Sequence, residues 1–417
     1  MIRRIEALNY RCLRYTSQPL DDFHVLVGPN ASGKTTFLDV VGFLGDLVAV
    51  GLFEAVFART RTFQDLIWQR SGDWFELAVE LEIPEERKRL LPNGKYRYVR
   101  YEVRIGLDEK TSEISILGEK ILLRGCSEKA TGQIQRMLFP KEPEAPNTLG
   151  ISPKERHTKT IVNKIHGGND NFHGETGKGW QHAFKLGPQK SALANLPEDE
   201  SKFPVGTWLK NILITGVERL VLNSTVMRKS SPPGQPVWFL PDGSNLPWVV
   251  EGLKRSREDL FTAWIQHLKT ALPDLEDVRT VSVEEDKHRY IVVRYGDGLE
   301  VPSWTLSDGT LRLLALTLPA YLPELRGVYM IEEPENGIHP RAVETMYQSL
   351  SSVYGAQILM ATHSPVILSL AKPSQVLCFS KTESGATDIV RGSEHPALRD
   401  WKGEVNLGVL LAGGVLG

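Results

Sequence analysis

Gly28-Pro29-Asn30-Ala31-Ser32-Gly33-Lys34-Thr35 is the stretch that decides the fold. It matches G-x-x-x-x-G-K-[ST], and its flanks are those the pattern requires. Before it, Phe23-His24-Val25-Leu26-Val27 is a short apolar run that predicts a strand. After it, Lys34 to Val50 predicts a helix. Glycines let backbone N–H groups converge on phosphate oxygens, and a helix N-terminus adds favourable positive potential. Gly28, Asn30, Ala31, Ser32, Gly33 and Thr36 fit such a cradle. Lys34 would reach the β- and γ-phosphates, and the Thr35 hydroxyl would bind Mg²⁺. The expectation is a nucleotide site.

Further along, Val328-Tyr329-Met330-Ile331-Glu332-Glu333-Pro334-Glu335 is an apolar strand ending in adjacent carboxylates. A phosphoryl-transfer site needs that in its Walker B segment. Glu332 would hold the Mg²⁺ shell through water, and Glu333 would orient or activate the attacking water. Ser307-Asp308-Gly309-Thr310 heads an apolar-rich helix and alone reads as an ordinary N-cap. In Ile358-Leu359-Met360-Ala361-Thr362-His363-Ser364-Pro365 a strand delivers His363 to its C-terminal end, where ligands collect in α/β sheets.

Around these segments the chain divides into four parts. Residues 1–126 hold the glycine-rich turn and an antiparallel section. There Met1 to Leu8 is a strand, Ser17 to Asp22 a turn, and 74–83 alternate so that Glu76, Glu80 and Glu82 face solvent. Pro92-Asn93-Gly94 turns into a second strand over Val99 to Ile105, and a third is expected near Ser115 to Leu117. Residues 127–205 predict an irregular insertion, rich in proline and glycine. Within 151–190 lie seven Lys/Arg, three Asp/Glu and four of the ten histidines, so the alternatives are a solvated insertion and a nucleic-acid or partner-docking arm. His157, His166, His173 and His182 are spaced too widely for a metal site. Residues 206–300 predict a strand over Ile212 to Leu222, helix over Leu246 to Ala271 and a hairpin over Val278 to Tyr295. Residues 301–417 form the last part, in which 311–371 alternate helix and strand as an α/β core does.

Composition excludes other classes. The 417 residues carry 49 Lys+Arg against 51 Asp+Glu, a net charge of −2 that argues against a strongly basic nucleic-acid coat. Cys12, Cys126 and Cys378 lie far apart and make neither a zinc pattern nor a disulfide framework, which fits a reducing cytoplasm. The longest apolar stretch, Leu38 to Val56, is broken by Asp39, Asp46 and Glu54, so no membrane span is expected. No apolar h-region follows Met1 to Glu6, so no signal peptide is expected either.

In their order these segments resemble the ABC-type ATPase heads, and more closely the RecF/SMC-like and OLD-like branch of AAA family ATPases. The motifs fall within residues 1–50 and 300–380, and the middle resembles the family only in layout. The resemblance implies an α/β P-loop head with an inserted antiparallel β lobe and a helical or irregular insertion. It implies ATP and Mg²⁺ as cofactors and ATP hydrolysis as the activity, with Glu333 and His363 catalytic. Leu306–Thr310 then corresponds to the ABC signature, and Ser307, Asp308 and Gly309 meet the γ-phosphate of ATP held by a second protomer. Asn336 to His339 becomes the D-loop region and His363 the switch histidine. Arg11 sits where such heads often place a basic residue near the nucleotide. Glu332 stands where Asp is commoner, and the Q-loop glutamine is either Gln64 or Gln69.

No sustained heptads continue the chain into a long coiled coil. About thirty-eight residues follow Phe379, too few for the TOPRIM domain of the OLD nucleases, and they lack a nuclease's clustered carboxylates. A stand-alone module is expected. It is similar to ATPase subunits of bacterial anti-phage systems of the Septu or PARIS type. That implies a cytoplasmic switch that forms a homodimer through its ATP sites and controls a separately encoded effector, a nuclease or toxin. The alternative is a RecF-like repair ATPase that binds DNA without regard to sequence. An ABC transporter subunit is disfavoured, because Leu-Ser-Asp-Gly-Thr departs from Leu-Ser-Gly-Gly-Gln and the 206–300 section is too large.

Overall fold

The helix that follows the glycine-rich turn is apolar on nearly all sides, and the fold buries it between two sheets. In a computed structural model, which describes residues 1–125, 136–151, 157–177, 181–236, 238–398 and 407, α1 (Lys34–Ala49) buries Phe37, Leu38, Val40, Val41, Phe43, Leu44, Leu47 and Val48. A helix with that pattern must be covered all round. One apolar cluster joins these residues to Ile5, Tyr10, Phe75 and Val99 of an antiparallel sheet and to Leu26, Met330, Leu359 and Phe379 of a parallel one.

The antiparallel sheet begins with β1 (Ile2–Tyr10) and β2 (Leu13–Pro19), followed by β3 (Phe23–Val27), which leaves for the parallel sheet. The first reversal comes at Arg11-Cys12, ahead of the turn expected at Ser17 to Asp22, because Arg11 takes a left-handed φ of 50° and lets Tyr10 pair with Leu13. After α1 and α2 (Leu52–Phe57) come β4 (Trp74–Glu82), α3 (Glu85–Lys88), β5 (Tyr96–Leu107) and β6 (Ile114–Gly125).

Among its described residues the irregular insertion expected over 127–205 carries three strands amid longer irregular stretches. β7 (Thr158–Ile165), β8 (Asp170–His173) and β9 (Gln181–Phe184) complete an eight-stranded sheet in the order β2-β1-β4-β5-β6-β7-β8-β9. Two lysines of the supposed basic arm are tied inside it: Lys164 is buried against Asp170 at 2.8 Å, and Lys159 donates to the Glu175 carbonyl at 2.8 Å. Lys154, Arg156 and Lys178 of that stretch, and Cys126, lie outside the described residues.

The polar face of β4 is not solvated as its alternation suggests. Glu76 and Glu80 are buried, paired across strands with Arg104 and Arg124, and Thr148 and Leu149 fold over Glu76 to donate to its carboxylate. Charges opposite one another stabilise a sheet face that a later segment can then cover.

The expected strand over Ile212 to Leu222 divides into the end of α4 (Pro204–Thr215) and the short β10 (Val217–Leu220), with Gly216 closing the helix between them. α5 (Ser224–Met227) follows, and the helical stretch beyond it breaks at Arg257 into α6 (Leu246–Ser256) and α7 (Glu258–Ala271). β11 (Leu275–Ser282) and β12 (Arg289–Tyr295) form the hairpin, joined by β13 (Glu300–Pro302). The chain then runs α8 (Asp308–Thr317), β14 (Gly327–Glu332), α9 (Pro340–Ser351), β15 (Ala356–Ala361), α10 (Pro365–Leu370), β16 (Val376–Lys381) and β17 (Thr387–Arg391).

The second sheet has the order β10-β14-β15-β3-β16-β17, parallel except for β17. Its register pairs Glu332 with Ala361 and Ala361 with Leu26, so the C-terminal ends of β14, β15 and β3 lie at one edge. A second apolar cluster covers its other face with α6, α7, α8 and α9. Among the described residues no helix is long and apolar enough to cross a membrane.

β3 also carries a fully buried histidine. His24 Nε2 accepts the Asp21 N–H at 2.8 Å, and Nδ1 lies 3.1 Å from the Gln375 carbonyl, so a neutral ring protonated on Nδ1 satisfies both. Burial, and then Arg391, bring its pKa down to about 4. Because this lies below the unfolded value of about 6.5, the unfolded chain takes up the proton first. The resulting stability is fully present above roughly pH 6.5 and is lost as pH falls toward the folded pKa, at most ~3 kcal/mol in all. Unfolding midpoints measured between pH 7 and 4.5 should therefore fall more in the native chain than in His24→Gln. An equal fall in both would contradict this account of the ring.

Candidate functional site

The turn after β3 is shaped by close backbone approaches. Gly28 has φ 147°, and a Cβ there would sit 2.1 Å from the Phe379 carbonyl oxygen; at Gly33, with φ 102°, it would sit 2.3 Å from Thr387 Oγ1. Only glycine fits at both positions. Thr387 braces the turn further, its hydroxyl donating to the Ser32 carbonyl at 2.9 Å and its N–H to the Cys12 carbonyl at 2.9 Å.

Two observations test whether this turn suits a phosphate. Ser32 Oγ is buried and has no hydrogen-bond partner. Gly33, the N-cap of α1, brings no side chain, so the first-turn N–H groups are left for an anion. Lys34 is folded back, its Nζ donating to the carbonyls of Gly28 at 2.8 Å and Pro29 at 2.9 Å. Burial lowers its pKa, while Glu333 and Glu332 draw it back up. The residues fit a nucleotide polyphosphate.

At the same edge Thr35 Oγ1 donates to Glu332 Oε2 at 2.7 Å. A hydroxyl and a carboxylate are the hard oxygen donors Mg²⁺ prefers, so these two side chains would hold that ion, which polarises phosphoryl oxygens when bound. Glu333 follows in a left-handed conformation, φ 47°, with its N–H on the Ala361 carbonyl at 2.8 Å and its Oε2 accepting from Asn336 Nδ2. Strain of that kind in a non-glycine residue costs about 1–3 kcal/mol. β15 ends in Thr362 and His363. Glu335 accepts from the Thr362 hydroxyl at 2.5 Å and from the His363 N–H at 3.3 Å, which fixes the backbone that carries the imidazole.

A cleft of ≈ 560 Å³ gathers Asn30 to Thr36, Glu332, Glu333, His363 and Arg11. Arg11 enters from the reversal between β1 and β2, its guanidinium 3.6 Å from Asp39 and donating to the Arg59 carbonyl at 3.2 Å. Of the two candidate glutamines, Gln69 lines the cleft and Gln64 does not. Gln69 reaches it because it stands at φ 51° between two short helical turns, a backbone choice that no sequence pattern announces.

Ser307, Asp308 and Gly309 are not brought to this cleft. Ser307 caps α8 by accepting the Thr310 N–H at 3.1 Å. A Cβ on Gly309 would lie 2.4 Å from the Gly337 carbonyl oxygen, so the start of α8 abuts the turn after Glu333. Ser307 and Asp308 are exposed. Arg228, just past α5, pairs with Asp308 at 2.5 Å and donates to the Leu306 carbonyl at 3.0 Å. It thereby neutralises the one acid in the segment.

Arg219 is the other residue that sequence reading missed. It lies 2.6 Å from Glu332 Oε1. The contact follows from the parallel register of β10 on β14, which pairs Arg219 with Met330, two residues before Glu332 and on the same face.

A family model described as "AAA domain, putative AbiEii toxin, Type IV TA system" matches residues 23–369. No curated protein matches the chain. Among solved structures, an SMC head bound to the C-winged helix domain of ScpA is 13% identical, with 93% of this chain and 97% of that one covered and a TM-score of 0.54. An Smc head with an extended coiled coil, bound to the C-terminal domain of ScpA derived from Pyrococcus furiosus, is 12% identical, with 93% and 95% covered and a TM-score of 0.51. At such identities the likeness is one of fold.

Proposed function

We propose, from the premise that the chain belongs to the AAA domain family matched over residues 23–369, that it is an ATP-driven switch whose heads pair on ATP and control a separate effector. The family match, together with a fold shared with SMC heads, supports reading it as an ATPase. Within that type we read it as a RecF/SMC-like and OLD-like head. Gly28 to Thr36 would cradle the phosphates, Thr35 and Glu332 would hold Mg²⁺, Glu333 would orient or activate the attacking water, His363 would be the switch histidine on the γ-phosphate, and Arg11 would lie near the nucleotide.

One observation carries the pairing. The segment Leu306–Thr310 presents an exposed serine at the capped start of α8, yet none of it lines the cleft of its own chain. A capped helix N-terminus gains an anion partner if a second head supplies one. The family description names a putative AbiEii toxin of a type IV TA system, a setting compatible with this reading; the separate effector and the defence role are part of the proposal. The DNA-clamp alternative gains no support from Lys159 and Lys164, which are both engaged within the sheet.

Light scattering on Glu333→Gln protein tests the pairing. Added ATP and Mg²⁺ should double its mass from one chain to two, and ADP should not. A mass indifferent to ATP at saturating concentration would overturn the switch.

A further inference from the structure

Glu332 is shared between two donors. Its Oε2 accepts from the Thr35 hydroxyl at 2.7 Å, and its Oε1 meets the Arg219 guanidinium at 2.6 Å. We infer that Arg219 is a resident cation of the metal end: it occupies the Glu332 carboxylate in the nucleotide-free head and lowers the affinity of that end for a divalent ion. The inference rests on reading Thr35 and Glu332 as the metal-holding pair.

Charge sets the direction of the effect. A guanidinium on one carboxylate oxygen competes with an incoming divalent ion for the same lone pairs, and it also repels that ion through space. Its size follows from exposure. The Arg219 side chain is 55% exposed and that of Glu332 27%, so the pair is solvent-screened and its effect on affinity stays within about fivefold. The competition is therefore a bias and not a block. A head biased in this way holds metal poorly by itself and gains it together with the phosphates, whose negative charge outweighs one arginine.

The same geometry accounts for the glutamate at a position where aspartate is commoner. One added methylene carries the carboxylate roughly 1.5 Å further from the strand. That reach lets a single side chain at the end of β14 touch both Thr35, on α1, and Arg219, on the edge strand β10. β10 follows directly on α4, whose Leu213 carbonyl lies against Gly45 of α1. Arg219 thus ties the return of the long insertion to the metal end.

The probe is Mn²⁺, an oxygen-seeking divalent ion visible by electron paramagnetic resonance. It would be titrated into the nucleotide-free full chain carrying Arg219, Arg219→Gln, Arg219→Lys, or Arg219→Gln with Glu332→Gln. Arg219→Gln should bind Mn²⁺ roughly two- to fivefold more tightly than the native chain, Arg219→Lys close to native, and the double variant should lose the gain. Equal or weaker binding by Arg219→Gln, or a gain that survives Glu332→Gln, would overturn the inference. ATP binding measured in chelator, which depends on Lys34 and not on metal, reports separately on the nucleotide site. Its absence would sink the proposed function, whatever the Mn²⁺ titration shows.

Discussion

Glu333→Gln protein should bind ATP as the native chain does and hydrolyse it about 10²–10⁴ times more slowly, the usual span for removing a general base. The substitution keeps the size of the side chain and an oxygen that can accept from Asn336, so the left-handed turn at Glu333 and its N–H bond to Ala361 should survive. What is lost is the capacity to accept a proton at the edge of the cleft shared with Lys34 and His363. Steady-state phosphate release, with ATP binding followed in parallel, checks it. Native hydrolysis by Glu333→Gln would remove Glu333 from the chemistry.

Lys34→Ala should fail one step earlier. The Lys34 ammonium now satisfies itself on the carbonyls of Gly28 and Pro29, and phosphate oxygens would replace them with charge-assisted bonds. Bonds of that kind are worth about 1.5–3 kcal/mol, so ATP binding should weaken roughly ten- to a hundredfold or more. The Ala variant also leaves those two carbonyls without their donor, as Lys34→Met does while keeping the length of the side chain, so both unfolding midpoints should be compared with that of the native chain. Equal loss of ATP in both, with midpoints near native, assigns the effect to the phosphates.

The parts of the site that were legible in the sequence are contiguous segments with local rules. The turn from Gly28 to Thr35 announces itself because two glycines must take conformations that other residues reject. The strand into Glu332 and Glu333 announces itself by ending an apolar run in two acids. What stayed hidden depends on pairing. Arg219 meets Glu332 only through the register of an edge strand, and Arg228 meets Asp308, which is far along the chain from it.

The section from 127 to 205 read as irregular because glycine and proline punctuate it. Its short strands borrow their stability from β6 and its neighbours and not from their own patterning. The buried acids of β4 show the same limit. Alternation told which residues share a face but not that Leu149 and its neighbours would close over them.

The claim that each ATP lies between the P-loop cleft of one chain and Ser307 of another is tested most directly by mixing two dead proteins. Lys34→Ala lacks the phosphate lysine but keeps Ser307; Ser307→Arg keeps Lys34 but places a bulky cation at the start of α8. In a mixed dimer one interface carries both lesions and the other carries neither. With random assortment half the dimers are mixed and each has one sound site, so ATPase activity should return to about a quarter of native. A mixture as inactive as its components, or a Ser307→Arg chain fully active by itself as a monomer, would contradict the shared site.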